Sequence, residues 1–142
     1  MRQIHVSEIR EAVVRLIYEA SYNIPPEIER AVALGIDREP GETGRSVLRQ
    51  IHQSYQIARD ERVAICQDTG MAVFFIEMGQ DVHVTGGDFE TAIDDAVRQA
   101  YRDGFLRKSV VAEPMFDRVN TGDNTPAVIH LRIVPGEQIR IL

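Results

Sequence analysis

At 142 residues, the chain is long enough for one compact domain, or one lobe of a larger unit, and too short for several independent domains. Its content of 44% hydrophobic and 27% charged residues is typical of a globular protein and excludes disorder of the whole chain. The formal net charge is −6 and the basic residues are scattered, which argues against general nucleic-acid binding because such binding depends on a basic surface.

The sequence contains no recognisable membrane or secretion signal. No stretch approaches the roughly 18 consecutive apolar residues that span a bilayer, and the N-terminal residues carry charges throughout. The single cysteine, Cys66, cannot form a disulfide within the chain and suits a reducing compartment. We therefore expect a cytoplasmic protein without a membrane partner.

Apolar residues at helical spacing predict three helices within the first sixty residues, over 7–22, 25–34 and 43–58. Ser7 is the expected N-cap of the first helix, and Gly35 is the expected end of the second. Thr43 is the expected cap of the third. Residues 1–60 therefore form a predicted helical lobe.

Short apolar runs then replace the helical pattern and predict strands over 63–66, 71–78, 82–84, 127–134 and 139–141. One long helix is expected over 88–103, with Asp88 in position to cap it and Gly104 at its end. Alternating apolar residues make 127–134 a predicted half-buried strand. The predicted fold class is α+β: an N-terminal helical lobe packed with a small mixed β-sheet. Residues 1–142 are expected to be a single domain or a fragment, with the sheet and the long helix in 61–142.

The sequence Cys66-Gln67-Asp68-Thr69-Gly70 places a thiol, an amide, a carboxylate and a hydroxyl where a predicted strand ends in a turn. Backbone amides at such a turn favour a thiolate that binds iron, and the Asp68 carboxylate is suited to moving a proton on a carbon next to a carboxylate. The structural alternative is a buried small apolar residue at Cys66, followed by an Asx turn at Asp68. Local chemistry alone leaves both interpretations open.

Two further segments are polar. Residues 120–126 form a dense polar turn before a predicted strand. Such a composition is also typical of a loop without a functional role. Arg107, in a basic pair with Lys108, has the guanidinium that binds a carboxylate through two hydrogen bonds, although such a pair is also common at a solvated helix end. The four histidines are far apart in sequence and match no zinc-binding spacing.

Taken in order, three motifs resemble those of the iron–sulfur-dependent class I fumarate hydratase and L(+)-tartrate dehydratase family: Cys66-Gln67-Asp68-Thr69-Gly70, Leu106-Arg107-Lys108-Ser109, and Asn120-Thr121-Gly122-Asp123-Asn124 with Pro126-Ala127. The resemblance covers most of the chain and is closest to the N-terminal part of the alpha subunit in two-subunit members. Three ordered motifs at compatible spacing are more specific than any one of them.

This resemblance implies a hydro-lyase of the tricarboxylic acid cycle that interconverts fumarate and (S)-malate. It also implies a 4Fe–4S cluster, held by three cysteines, whose open iron acts as a Lewis acid. By position, Cys66 resembles the first cluster ligand. Gln67 and Asp68 resemble residues that contact the substrate, with Asp68 taking part in proton transfer, and Arg107 resembles an arginine that binds a substrate carboxylate.

The chain departs from the family in having a single cysteine, so the other cluster ligands are expected outside it. We expect a fragment of an alpha subunit that is inactive alone, binds a small dicarboxylate, and is completed by a beta subunit or C-terminal domain in an oligomer. Two alternatives stay open: an L(+)-tartrate dehydratase of the same family, and a non-catalytic interaction module. The roles of Asn120, Thr121 and Asn124 also stay open.

Overall fold

The computed structural model describes residues 1–66 and 70–142. The helices are α1 (Val6–Tyr22), α2 (Pro26–Arg38), α3 (Glu42–Glu61) and α4 (Phe89–Asp103), and the strands are β1 (Arg2–His5), β2 (Val73–Gly79), β3 (Val82–Thr85), β4 (Val128–Val134) and β5 (Ile139–Ile141). This α+β composition confirms the predicted fold class. None of the described helices has both the length and the apolar character needed to cross a bilayer.

The chain divides into two compact units, one of Met1–Ile17 with Thr69–Leu142 and the other of Tyr18–Asp68. The first unit contains two small sheets. In one, β1 pairs with β3 in parallel, and in the other β2 lies between β4, which is parallel to it, and β5, which is antiparallel. The second of these sheets is mixed, as predicted.

The core of the first unit uses one face of α4. Ile93, Ala96, Val97 and Ala100 are completely buried, which agrees with the apolar stripe of the sequence. The helix begins at the predicted cap, since the Asp88 carboxylate accepts a hydrogen bond from the Thr91 amide at 2.7 Å, and Gly104 follows its last residue. Other buried apolar side chains of this unit come from α1 and β2: Ile9, Val13, Ile17, Phe74 and Ile76.

The second unit is helical, and α2 packs against α3. The carboxylate of Glu29 on α2 accepts a hydrogen bond from the Arg59 guanidinium on α3 at 2.7 Å. The predicted strand over 63–66 is wrong. Val63 to Ile65 form no regular structure, because the Ile65 amide donates to the carbonyl of Ser21 at the end of α1 rather than to a strand.

Several predicted element ends are also wrong. Ser7 lies inside α1, where its hydroxyl is 2.9 Å from the Nδ1 atom of His5. The second helix continues past Gly35 to Arg38, and α3 begins after Gly41 without any side-chain cap, so Thr43 lies inside it. These differences have one cause: backbone hydrogen bonds that continue a helix outweigh the local preference of a single residue.

Two features of the strands were not predicted. The first is β1, a strand of four residues whose only partner among the described strands is β3. The second is the exposure of β4, in which Leu131 and Ile133 are 48% and 58% exposed, so the expected half-buried pattern is wrong for this strand. Ile76, which lies opposite Leu131 in the pairing register, is only 1% exposed.

Candidate functional site

The thiol of Cys66 is free and exposed, at the end of the second unit. The preceding residue, Ile65, is buried, and its amide is tied to Ser21 at 2.9 Å, which fixes the backbone just before the thiol. The exposure of Cys66 argues against the alternative in which it is a buried apolar residue. Gln67 and Asp68 lie outside the described residues, so their predicted roles stay predictions.

Arg107, in the first unit, has an exposed side chain that follows a buried one, Leu106. Within 1–66 and 70–142, no hydrogen bond or ion pair engages its guanidinium, whereas Arg98 and Arg59 each bind a carboxylate. An exposed guanidinium without an internal anion is available to a carboxylate from outside the chain.

The backbone after Arg107 is held by three side chains of the polar turn, Asn120, Thr121 and Asn124, which we call the 120–124 clasp. Asn120 Nδ2 donates to the Lys108 carbonyl at 3.1 Å. The Thr121 amide and hydroxyl donate to the Val110 carbonyl at 2.9 and 3.3 Å. Asn124 Oδ1 accepts from the amides of Ser109 and Val110 at 2.7 and 3.1 Å. The clasp therefore fixes three consecutive residues directly after Arg107.

Asn124 is the centre of this arrangement. Its side chain is completely buried, and its φ of 64° lies in the left-handed region, which asparagine tolerates better than most residues. Besides holding Ser109 and Val110, it donates through Nδ2 to the Gly70 carbonyl at 3.3 Å. Burial raises the pKa of Tyr101 on α4, and a side-chain hydrogen bond with Asn124 opposes that rise. One amide group thus contacts α4, the 108–110 segment and Gly70.

Asp123 anchors the same turn to α4. Its carboxylate accepts hydrogen bonds from Arg98 Nε at 2.7 Å and from the amide and hydroxyl of Thr125 at 3.0 and 2.7 Å. Burial raises the pKa of Asp123, but the hydrogen bonds from Thr125, Arg98 and Thr121 outweigh it and lower the pKa to about 2. Asp123 is therefore a structural anion whose charge is already paired.

The described residues contain no group of three His, Cys, Asp or Glu side chains able to hold a metal ion. The sequence has one cysteine, and its thiol is exposed and outside any disulfide, which fits a single ligand of an iron–sulfur cluster. Two further thiolates would have to come from outside this chain. The His130 ring stacks on that of Phe75, with ring centres 4.9 Å apart.

Sequence reasoning identified the segments of the clasp but not what the clasp does. No local pattern indicates the hydrogen bond between Tyr101 and Asn124 either. The one usable signal was the run of small polar residues at 120–125, since such residues often bond to backbone groups. The partners of that run, at Gly70 and 108–110, are set by the tertiary fold.

Comparison with known proteins gives a consistent result. The family model described as "Fumarate hydratase (Fumerase)" matches residues 10–142. The anaerobic class I fumarate hydratase of Escherichia coli is 35% identical over 127 residues, which are 88% of this chain and 23% of that enzyme. Fumarate hydratase 2 of Leishmania major is 36% identical over 107 residues, 75% of this chain and 19% of that protein. A putative L(+)-tartrate dehydratase subunit alpha of Methanocaldococcus jannaschii is 27% identical over 124 residues, 85% of this chain and 44% of that subunit. The chain thus spans less than half the length of these relatives.

Proposed function

Since the chain belongs to the fumarate hydratase family, we propose that it is part of an iron–sulfur hydro-lyase that adds water to fumarate and removes it from (S)-malate. The two relatives named fumarate hydratase are 35% and 36% identical to the chain, against 27% for the tartrate dehydratase subunit. This difference favours fumarate as the substrate.

One geometric observation carries the binding role. Arg107 presents an exposed guanidinium, unpaired within the described part of the chain, from a backbone that the 120–124 clasp fixes on one side. A bound dicarboxylate would accept two charge-assisted hydrogen bonds from this group. Because this backbone is already fixed, the chain loses less conformational entropy when the substrate binds.

The reaction forms a C–O bond at one olefinic carbon of fumarate and a C–H bond at the other. We assign the proton transfer at the second carbon, which lies next to a carboxylate, to Asp68, and a substrate contact to Gln67. Arg107 is assigned to hold a carboxylate of the substrate.

Cys66 is assigned as one ligand of a 4Fe–4S cluster, with the other cysteines supplied from outside this chain. When bound, such a cluster supplies a Lewis acid for the substrate's hydroxyl and a carboxylate oxygen. The chain alone is then inactive, and a beta subunit or C-terminal domain completes the site in an oligomer. A thiolate ligand and an oxygen-sensitive cluster suit the reducing cytoplasm.

L(+)-tartrate dehydratase activity is the second candidate, supported by the alpha subunits that match most of this chain. The two hydrated substrates differ by one hydroxyl, and discrimination at that level depends on the polar groups of the pocket. A non-catalytic interaction module is the third candidate and requires no cluster.

The deciding experiment measures turnover of fumarate, (S)-malate and L(+)-tartrate by the assembled enzyme, prepared without oxygen, for the native chain and for Cys66→Ser. We expect fumarate hydration with the native chain, and loss of both cluster iron and activity with Cys66→Ser. Ala64→Ser, on the same irregular segment, is the control and should retain both.

If the assembled enzyme turned over tartrate alone, the proposed activity would be that of a tartrate dehydratase and not of a fumarate hydratase. If Cys66→Ser kept its iron content and full activity, the cluster assignment would be wrong. An assembled protein without either activity would favour the interaction module.

A further inference from the structure

The polar side-chain groups of the 120–124 clasp form hydrogen bonds within the chain. Asn124 has no exposed surface, and its oxygen and nitrogen are both engaged. Asn120 uses its nitrogen on the Lys108 carbonyl and its oxygen on the Gly122 amide, at 3.1 and 2.7 Å. Direct contact with a substrate is therefore an unsuitable role for these side chains.

Their partners are concentrated at one place in the chain. Asn120, Thr121 and Asn124 all bond to backbone atoms of residues 108–110. Lys108 is the residue after Arg107, and consecutive Cα atoms are about 3.8 Å apart. A backbone shift at Lys108 therefore moves the base of the Arg107 side chain almost directly.

Asn124 also holds a second candidate segment. Its Nδ2 atom donates to the carbonyl of Gly70, the last residue of the cysteine motif. Only a side chain with both an acceptor and a donor can hold the Ser109 and Val110 amides and this carbonyl together. Alanine has neither group, so Asn124→Ala removes all three hydrogen bonds.

We infer that Asn124, with Asn120 and Thr121, is a positioning residue that sets the backbone of Arg107 and of Gly70 for binding the dicarboxylate. This inference rests on the proposed function, because it assigns to Arg107 the role of a carboxylate-binding group. The required accuracy is high, since a misplacement of about 1 Å can lower the rate about a hundredfold.

A double-mutant cycle on the assembled enzyme tests the inference. Asn124→Ala and Asn120→Ala are each measured with fumarate, in the native background and with Arg107→Ala. Asn120 is exposed, so its variant keeps the inference testable if the buried variant does not assemble. The matched control is Ser54→Ala on α3, which likewise removes a side chain that donates to a backbone carbonyl, that of Ile51, outside the clasp.

In the native background we expect each clasp variant to raise KM for fumarate by about fivefold or more, with a smaller change in kcat. In the Arg107→Ala background the same changes should alter KM by less than about twofold, because the group that they position is gone. Ser54→Ala should stay within about twofold in both backgrounds. Hydrogen exchange at the Ser109 and Val110 amides should become faster in the Asn124 variant.

Equal fold-changes in both backgrounds, or an unchanged KM in the native one, would overturn the inference while leaving the proposed function intact. Unchanged exchange at Ser109 and Val110 in Asn124→Ala would also overturn it. A native enzyme inactive on both fumarate and tartrate would instead overturn the proposed function, and the inference with it.

Discussion

At the scale of single residues, Arg107 combines a fixed backbone with an exposed guanidinium. A lysine at this position keeps the positive charge. Its ammonium group, however, cannot form the two parallel hydrogen bonds that the planar guanidinium forms with a carboxylate. We expect Arg107→Lys to raise KM for fumarate about tenfold, because the substrate loses one charge-assisted hydrogen bond. Steady-state kinetics of the assembled enzyme measure this change.

Arg118→Lys is the matched control, because Arg118 is an exposed arginine of the neighbouring loop with no assigned role. It should leave KM unchanged. Equal KM values for the two lysine variants would mean that Arg107 does not bind the substrate.

Asp123 predicts a specific dependence of stability on pH. Its pKa is about 2 in the folded chain, below the ordinary 3.8. Because the folded-state pKa is depressed, its stabilising contribution is complete above about pH 4 and is lost as the pH falls through about 2. The free energy of unfolding should therefore decline more steeply between these values for the native chain than for Asp123→Asn.

Urea unfolding at pH 2, 3, 4, 5 and 6 tests this expectation, and the interval from pH 5 to 6 is the internal control, where the two slopes should agree. Identical slopes between pH 2 and 4 would show that the bonds from Arg98 and Thr125 do not lower the pKa of Asp123 in solution.

At the scale of elements, α4 is the best example of a prediction from sequence that the structure confirms. Its apolar stripe, its acidic cap Asp88 and its terminal Gly104 are all local signals, and they agree with each other. The strand predicted at 63–66 is wrong because a run of four apolar residues does not specify a partner strand. The carbonyl of Ser21 pairs with Ile65 instead, and no local pattern indicates that contact.

The cap of α4 makes a testable prediction. Asp88→Ala removes the acceptor of the Thr91 amide, which should lower the melting temperature by about 3 °C. Asp88→Asn keeps an acceptor oxygen and should melt within about 1 °C of the native chain. Thermal unfolding followed by circular dichroism distinguishes the two, and equal melting temperatures for Ala and Asn would mean that the cap adds nothing.

At the scale of the whole molecule, the parts of the candidate site differ in how far the sequence predicts them. The motifs around Cys66, Arg107 and Asn120 can be recognised in the sequence, because their residue types carry the chemistry. The clasp cannot, because its hydrogen bonds join residues that are distant in the chain, such as Asn124 and Gly70. Sequence reasoning therefore found the chemical groups, and the structure supplied the contacts that hold them.

The exposed strand β4 has a consequence for how this protein is handled. Within the described residues its outer edge faces no other strand, and Leu131 and Ile133 are half exposed beside it. Such an edge is a template on which another polypeptide can add a strand, whether a proper partner or a second copy. We therefore expect preparations of the chain by itself to self-associate as the concentration rises. We expect production together with the proposed beta subunit or C-terminal domain to reduce this self-association.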